Sequence, residues 1–106
     1  MNKVFLMGRL ARDPEVRYSR EAEPVARYTL AVDRIKSRYE DKQTADFINC
    51  IAFRKNAEVA ETYLRKGTKI VVFGHIQTGS YTDRNGQKVY TTEVVVDGQE
   101  FAESMR

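Results

Sequence analysis

The stretch IVVFGHIQTGSYTDRNGQKVYTTEVVV, residues 70–96, decides the fold because it joins two β-rich runs to a hairpin signal. One run extends from Ile70 to Tyr81 and the other from Lys88 to Val96, with DRNG at 83–86 between them. Asn-Gly tolerates the positive φ angles of a tight hairpin, so we expect the runs to pair. The hairpin would carry stacking faces and cations, a combination that favours binding of a single-stranded nucleic acid. These side chains are Tyr81, Arg84, Lys88 and Tyr90.

Four further strand patterns precede this hairpin. We expect them at residues 3–10, 16–18, 26–32 and 46–53. Alternation is clearest in the third pattern, where every second side chain is apolar and faces one way. In the first pattern, Gly8 indicates a bulge or a bend. The polar residues 34–45 predict a loop or a flap between two of the strands.

The sequence predicts one helix, from about Ala57 to Lys66. We expect Asn56 to cap its N-terminus and Glu58 to interact favourably with the positive end of its dipole. Gly67 is well placed to follow the C-terminus in a left-handed conformation, with cationic side chains just before it. An apolar stripe at helical spacing must pack on the sheet. It consists of Val59, Ala60, Tyr63 and Leu64.

The order of these elements predicts an all-β domain with one short helix. A helix between the third and fourth strands of a five-stranded Greek-key barrel is the arrangement of the OB-fold, here with a long projecting hairpin. SH3-like barrels and open α+β sandwiches are alternatives, although the helix position disfavours the first. The chain has 106 residues without a linker or repeat, so we expect one domain over 1–106, ordered to about residue 102.

Composition predicts a globular protein with a basic centre. Hydrophobic residues make up 42% of the chain, which excludes a disordered protein, and no apolar run approaches a bilayer span. Residues 34–88 contain eleven Lys and Arg against six acids, a distribution that suits a polyanion or an ordinary solvated surface. Cys50, which has no disulfide partner, is interpreted as a small buried hydrophobe. The absence of a signal-peptide pattern predicts a cytoplasmic protein with no membrane contact.

Catalytic and metal-binding patterns are missing from the sequence. His75 lies in an apolar strand without a Cys or an acid at ligand spacing, so we interpret it as a core-edge or interface residue. No Gly-rich phosphate loop or nucleophile elbow is present. A metal-dependent nuclease needs clustered carboxylates, whereas the flap acids are more typical of solvated charges. These acids are Asp33, Glu40, Asp41 and Asp46. We therefore predict no reaction, no cofactor and no metal.

The strand at 46–53 carries the strongest binding signal. Phe47 and Phe53 lie on one face, about 20 Å apart at a rise of ~3.3 Å per residue. Asn49 between them can form hydrogen bonds, and Arg54 and Lys55 follow with two cations. Each base stacked on a ring contributes about 1–3 kcal/mol, so two exposed rings would dominate the affinity. The alternative is that both rings belong to the core or to an oligomer interface.

Several short motifs are distributed along the chain. They are NKV at 2–4, DPEVRY at 13–18, YTLA at 28–31, ADFINC at 45–50, AEVA at 57–60, YLRKG at 63–67, YTD at 81–83 and YTTEV at 90–94. As a set they resemble the DNA-binding domain of bacterial single-stranded DNA-binding proteins, as far as about Phe101. The ADFINC motif is most similar to the version found in Gram-positive bacteria.

This resemblance implies an OB-fold homotetramer, a dimer of dimers, that binds single-stranded DNA without sequence preference in replication, recombination and repair. It also implies a cytoplasmic, nucleoid-associated protein that uses no cofactor. The stacking rings of the family match Phe47, Phe53 and Tyr81, and its DNA-contacting cations match Lys3, Arg17, Lys55 and Lys66. With the residues inferred above and two further cations of the basic segment 34–88, the candidate DNA-binding set is Phe47, Phe53, Tyr81, Asn49, Lys3, Arg17, Arg34, Lys36, Arg54, Lys55, Lys66, Arg84 and Lys88.

The chain also departs from the family pattern. Phe47 and Tyr81 stand where many members have Trp, so stacking survives with a smaller ring. No ring aligns with a further stacking position near Ile35, although Tyr39 could substitute for it. Family members usually continue into a disordered linker and an acidic tip, and the 106 residues contain neither. We therefore expect replication and repair proteins as partners only if the full-length protein carries that tail.

Three rival functions remain open on the sequence. A dimeric primosome-type adaptor would have the same fold and act mainly through protein contacts. An OB-type interaction module would have no role with nucleic acids. A nuclease would require the carboxylate cluster that the sequence does not provide.

Overall fold

The computed structural model describes residues 1–35 and 44–103. This part of the chain forms β1 (Val4–Leu10), β2 (Glu15–Tyr18), β3 (Pro24–Asp33), β4 (Ala45–Phe53), α1 (Arg54–Tyr63), β5 (Lys69–Thr82) and β6 (Lys88–Phe101). Each predicted strand is confirmed, with shifts of a few residues at the ends. Four residues named above lie outside the described residues: Lys36, Tyr39, Glu40 and Asp41.

Five of the strands close into a barrel. Neighbours follow the order β1–β5–β6–β4–β3, and β3 returns to β1 through the pairs Arg9–Ala31 and Leu10–Leu30. The ladder between β4 and β6 is parallel, and the other ladders of the described residues are antiparallel. Among the described residues, strand β2 pairs only with β3, and it stands outside the ring. The five-stranded barrel is therefore confirmed, with α1 between its third and fourth strands in chain order.

Alternation along the strands directs one row of side chains into the barrel. The buried cluster consists of Leu10, Ala26, Tyr28, Leu30, Cys50, Ala52, Ile70, Val72, Val94 and Val96, with Ala57, Ala60 and Leu64 from the helical region. The hydroxyl of Tyr28 donates a hydrogen bond to Oε1 of Gln99 at 2.7 Å, as a buried phenol requires. Burial raises the pKa of Tyr28 well above its ordinary value, so the ring stays neutral.

Gly8 is needed where the barrel closes. The register between β1 and β5 continues unbroken through the pair Gly8–Ile70, so the bulge interpretation of Gly8 is wrong. The register shift occurs instead between Phe73 and Gly74. A Cβ at Gly8 would lie 2.3 Å from the carbonyl oxygen of Ala31. Glycine is therefore what allows β1 to approach β3 closely enough to close the ring.

The helix begins three residues earlier than predicted, at Arg54, and ends at Tyr63. The chain passes from β4 into α1 without a linker, so Phe53 occupies the N-cap position and its side chain makes no capping hydrogen bond. The predicted cap at Asn56 is wrong. Its amide instead donates to the carbonyls of Val96 and Asp97 at 3.4 and 3.3 Å, which ties α1 to β6.

Because α1 begins and ends earlier than predicted, the residues that we expected at its two ends have different roles. Glu58 is the fifth helical residue and lies beyond the first turn. Arg65 follows the helix, but its guanidinium still donates to the carbonyls of Glu61 and Leu64 at 2.8 and 2.7 Å. Gly67 has the predicted positive φ of 88°, but it lies in the next turn, since the C-cap residue is Leu64.

The long hairpin of β5 and β6 is confirmed, but its turn differs from the expectation. Gly86 has a φ of 79°, whereas Asn85 is not in the left-handed region. The N–H of Gly86 donates to the carbonyl of Asp83 at 3.1 Å, and the N–H of Asp83 donates to the carbonyl of Gln87 at 2.9 Å. One glycine in a left-handed conformation after a turn matches a three-residue hairpin loop with a glycine bulge.

Candidate nucleic-acid interface

The three predicted stacking rings are exposed. Phe47 is 64% exposed, Phe53 is 44% exposed and Tyr81 is 58% exposed. Strand register explains the first two, because the pairs Phe47–Ala31 and Phe53–Val25 belong to the row that points away from the core. Ile51 belongs to the same row but is buried. The interpretation of Phe47 and Phe53 as core residues is therefore wrong.

A groove crosses the outer surface where β3, β4 and β6 meet. We call this cavity of about 490 Å³ the central groove, and it is lined by Arg27, Asn49, Tyr81, Tyr90, Thr91, Thr92 and Glu93. A cavity of about 230 Å³ shares Arg27, Asn49 and Glu93 with it and extends to Arg12 and Glu15. The structure therefore brings Asn49 and Tyr81 into one site. Two ladders cause this meeting: the parallel pair Ile51–Val95 aligns the outer rows of β4 and β6, and the pair Tyr81–Val89 places Tyr81 beside β6.

Phe53 lines a separate depression at the end of β4. This cavity of about 330 Å³ is formed by Ser19, Glu23, Pro24, Val25, Phe53 and Arg54. Arg54 has a positive φ of 52°, an unusual conformation for a residue with a side chain. Its Nε lies 3.9 Å from a carboxylate oxygen of Glu23. A ring and a guanidinium next to each other can contact a base and a phosphate.

Carboxylates accompany the predicted arginines. Arg17 Nη2 donates to Glu15 Oε1 at 2.9 Å, and the Arg17 guanidinium lowers the pKa of that carboxyl. Arg34 Nη2 donates to Asp46 Oδ1 at 2.8 Å and lowers the pKa of Asp46 in the same way. Both acids are therefore ionised at neutral pH, and a phosphate that contacts these arginines must compete with them.

The predicted lysines occupy several parts of the surface. Lys88 Nζ lies 5.4 Å from the centroid of the Tyr90 ring, within the range of a cation–π contact. Arg84 is exposed in the hairpin loop, and Lys55 is exposed in the first turn of α1. Lys66 follows the helix, and its backbone N–H donates to Asp13 Oδ1 at 2.8 Å.

Lys3 lies apart from the central groove. It lines a cavity of about 620 Å³ with Met1, Phe5, Phe73, Gly74, His75 and Asp97, on the side of β1 and β5. His75 is half-buried there, with Nδ1 3.2 Å from Asp97 Oδ2.

Within residues 1–35 and 44–103, no three His, Cys, Asp or Glu side chains are arranged to hold a metal ion. No helix in those same ranges is long and apolar enough to cross a membrane.

Sequence reasoning missed several residues of the central groove. Arg27, Thr92 and Glu93 line it, but none of them is in the predicted set. The alternation of β3 is sufficient to place Arg27 on the outer face with Thr29. The position of Glu93 depends on the parallel pairing of β4 with β6, which has no local signal in the sequence.

A closed five-stranded barrel with exposed rings and cations beside a groove defines an OB-fold domain with a surface suited to nucleic acids. The chain belongs to the Single-strand binding protein family, whose model matches residues 1–102. A single-stranded DNA-binding protein of Halalkalibacterium halodurans is 47% identical over 103 residues, which cover 97% of this chain and 61% of that protein. The resemblance inferred from the motifs, including its Gram-positive character, is confirmed.

Two further relatives agree with this assignment. A single-stranded DNA-binding protein of Enterococcus faecalis is 46% identical, with 98% of this chain and 55% of that protein covered. Single-stranded DNA-binding protein 1 of Staphylococcus aureus is 46% identical, with 97% of this chain and 66% of that protein covered. The chain thus spans between about half and two thirds of the length of these relatives.

Proposed function

We propose that this domain binds single-stranded DNA without sequence preference and catalyses no reaction. The observation that carries the proposal is the exposure of Phe47, Phe53 and Tyr81 in a chain of this family. The surface that carries these three rings also has cations at its ends, at Arg54 and Lys88. Exposed rings with cations near them suit a ligand that has flat bases and a charged backbone, which supports the proposal.

Binding in this proposal divides into two physical contributions. Bases stack on the three rings, and each stacked base contributes about 1–3 kcal/mol whatever its identity, because every base has a π-face. Phosphates pair with the lysines and arginines, and this contribution weakens as salt rises. Stacking and phosphate pairing do not depend on the identity of the base, so we expect tolerance of sequence.

We further propose that the domain assembles as a homotetramer and acts in replication, recombination and repair in the cytoplasm. The apolar side of the barrel supports self-association. Phe5, Met7 and Phe73 are 75%, 53% and 38% exposed, and the rings of Phe5 and Phe73 stack with centroids 6.4 Å apart. Among the described residues, the segment 4–8 of β1 pairs only with β5, which leaves an edge that a second copy of the chain can meet.

Titration with oligo(dT) tests the binding proposal. Phe47→Ala and Phe53→Ala should each weaken binding by about 1–3 kcal/mol, because each removes one stacking face. Tyr63→Ala is the matched control, since Tyr63 is 51% exposed but lies on α1, outside the candidate surface. Thermal unfolding should verify that all three variants remain folded. Unchanged affinity in both phenylalanine variants would exclude the stacking role.

A further inference from the structure

A carboxylate lies inside the groove that the proposed function assigns to DNA. Glu93 lines both the central groove and the smaller cavity beside it. Its Oε2 lies 3.5 Å from Nε of Arg27, and its side chain is 31% exposed. A negative charge at this position repels a polyanion. Its presence there therefore requires an explanation that the binding proposal alone does not provide.

The barrel fixes Glu93 next to Arg27. Strand β4 pairs Ile51 with Arg27 of β3 on one side and with Val95 of β6 on the other. Glu93 and Asn49 lie two residues before this parallel pair, on the same outer face. The acid and the base therefore project from the two strands that flank β4, and the ladders keep their backbones at this spacing.

Glu93 differs from the other acids that accompany arginines on this surface. The side chains of Glu15, Glu23 and Asp46 are 65%, 57% and 48% exposed, whereas that of Glu93 is 31% exposed. Water and salt screen the more exposed charges more strongly. Of these four carboxylates, Glu93 should therefore influence a bound phosphate most.

We propose that Glu93 competes with DNA phosphate for Arg27 and thereby limits how tightly the central groove holds the strand; this inference rests on the proposed function. In the free protein, the carboxylate holds the guanidinium at the wall of the groove. When a phosphate takes Arg27, Glu93 loses its cation and faces a second anion. The free-energy difference between these arrangements lowers the affinity of the domain for DNA and speeds the dissociation of the DNA.

The test is oligo(dT) affinity measured at several salt concentrations for Glu93→Gln. This variant should bind about three- to fivefold more tightly at low salt, the range expected when a surface ion pair is released. The slope of log affinity against log salt should become steeper by at most about 0.7, because Arg27 then neutralises a phosphate in every complex and not only in a fraction of them. Glu58→Gln, an equal change of charge on the exposed face of α1, is the matched control.

Arg27→Gln supplies an independent variant. It should weaken binding and flatten the salt slope, and adding Glu93→Gln to it should change affinity no more than Glu58→Gln does. Circular dichroism and mass measurements verify that each variant keeps its fold and assembly. Equal affinity of Glu93→Gln and Glu58→Gln would overturn the inference, because only net charge would then act. Weaker binding of Glu93→Gln would overturn it too, since the carboxylate would then contact the DNA directly.

These outcomes separate the inference from the function on which it rests. If the unmodified protein failed to bind oligo(dT) at low salt, the proposed function would be wrong and the inference would fail with it. If the unmodified protein binds, only the comparison of Glu93→Gln with its control decides whether the carboxylate competes for Arg27.

Discussion

Arg54 has a left-handed backbone conformation, with φ at 52°, at the junction of β4 and α1. This conformation costs a residue with a Cβ about 1–2 kcal/mol, whereas glycine adopts it freely. Arg54 and Phe53 line the same depression. A side chain kept at a strained position next to a stacking ring is consistent with a role in holding a phosphate.

Replacement of this residue separates stability from binding. Arg54→Gly should raise the free energy of unfolding by about 0.5–1 kcal/mol, because the relief of strain exceeds the entropy that glycine loses on folding. Oligo(dT) affinity should fall, because one cation is removed. Urea denaturation at constant protein concentration measures the first effect. Arg54→Lys is the control, since it keeps the Cβ and the charge and should change neither quantity much. A less stable glycine variant would contradict this account of the strain.

Cys50 is buried in the barrel and should be chemically inert. Burial raises the pKa of its thiol from 9.0 to about 12, so at pH 8 the thiolate fraction is roughly a thousandfold smaller than for the exposed group. A chromogenic thiol reagent should therefore modify the native protein very slowly and the denatured protein rapidly. The absorbance of the chromophore that the reagent releases would record both rates. Fast modification without denaturant would show that the thiol is accessible and that the barrel opens easily.

At the scale of elements, closure of the barrel depends on Gly8. A methyl group there would lie 2.3 Å from the carbonyl oxygen of Ala31, in backbone that can shift only at a cost. Gly8→Ala should therefore destabilise the fold by about 1–3 kcal/mol, the usual cost of overpacking. Gly79→Ala is the control, because its Cβ would meet only the hydroxyl of Thr91 at 3.1 Å. Equal midpoints of denaturation for the two variants would show that the contact at Gly8 relaxes at little cost.

The parts of the fold that follow from the sequence are those with a local cause. Alternation in β4 predicts that Phe47 and Phe53 share one face, because side chains on a strand alternate with a period of two. Both faces of this strand carry apolar residues, so only the structure shows that this face points away from the core. The start of α1 is not predictable in this way, because Arg54 adopts a conformation that residues other than glycine disfavour. The ion pair of Arg27 with Glu93 is not predictable either, since it depends on a parallel ladder between distant segments.

At the scale of the whole molecule, the phosphate contacts and the stacking contacts should make contributions to DNA affinity that respond differently to salt. The logarithm of affinity should fall linearly with the logarithm of salt concentration, with a slope of about −0.7 for each phosphate neutralised. The double variant Arg84→Gln, Lys88→Gln should flatten this slope, because it removes two cations of the hairpin. Phe47→Ala is the control, since it lowers affinity without changing the slope. A titration without salt dependence would contradict a role for phosphate contacts.

Assembly is the remaining property of the whole molecule. Phe5 is 75% exposed on the side of the barrel that we assign to self-association, and not on the ring-bearing strand β4. Strand β1 offers a partly unpaired edge beside it. A charged group there would be desolvated if two copies met. If the proposed tetramer forms, Phe5→Glu should therefore reduce the mass measured by light scattering to that of a smaller species. Phe47→Glu introduces the same charge at a ring that is 64% exposed, and it should leave the mass unchanged while weakening DNA binding. If both variants kept the mass of a tetramer, the contact between copies would not involve Phe5. If the unmodified protein had the mass of a dimer, the proposal of a tetramer would be wrong and the dimeric adaptor would be favoured.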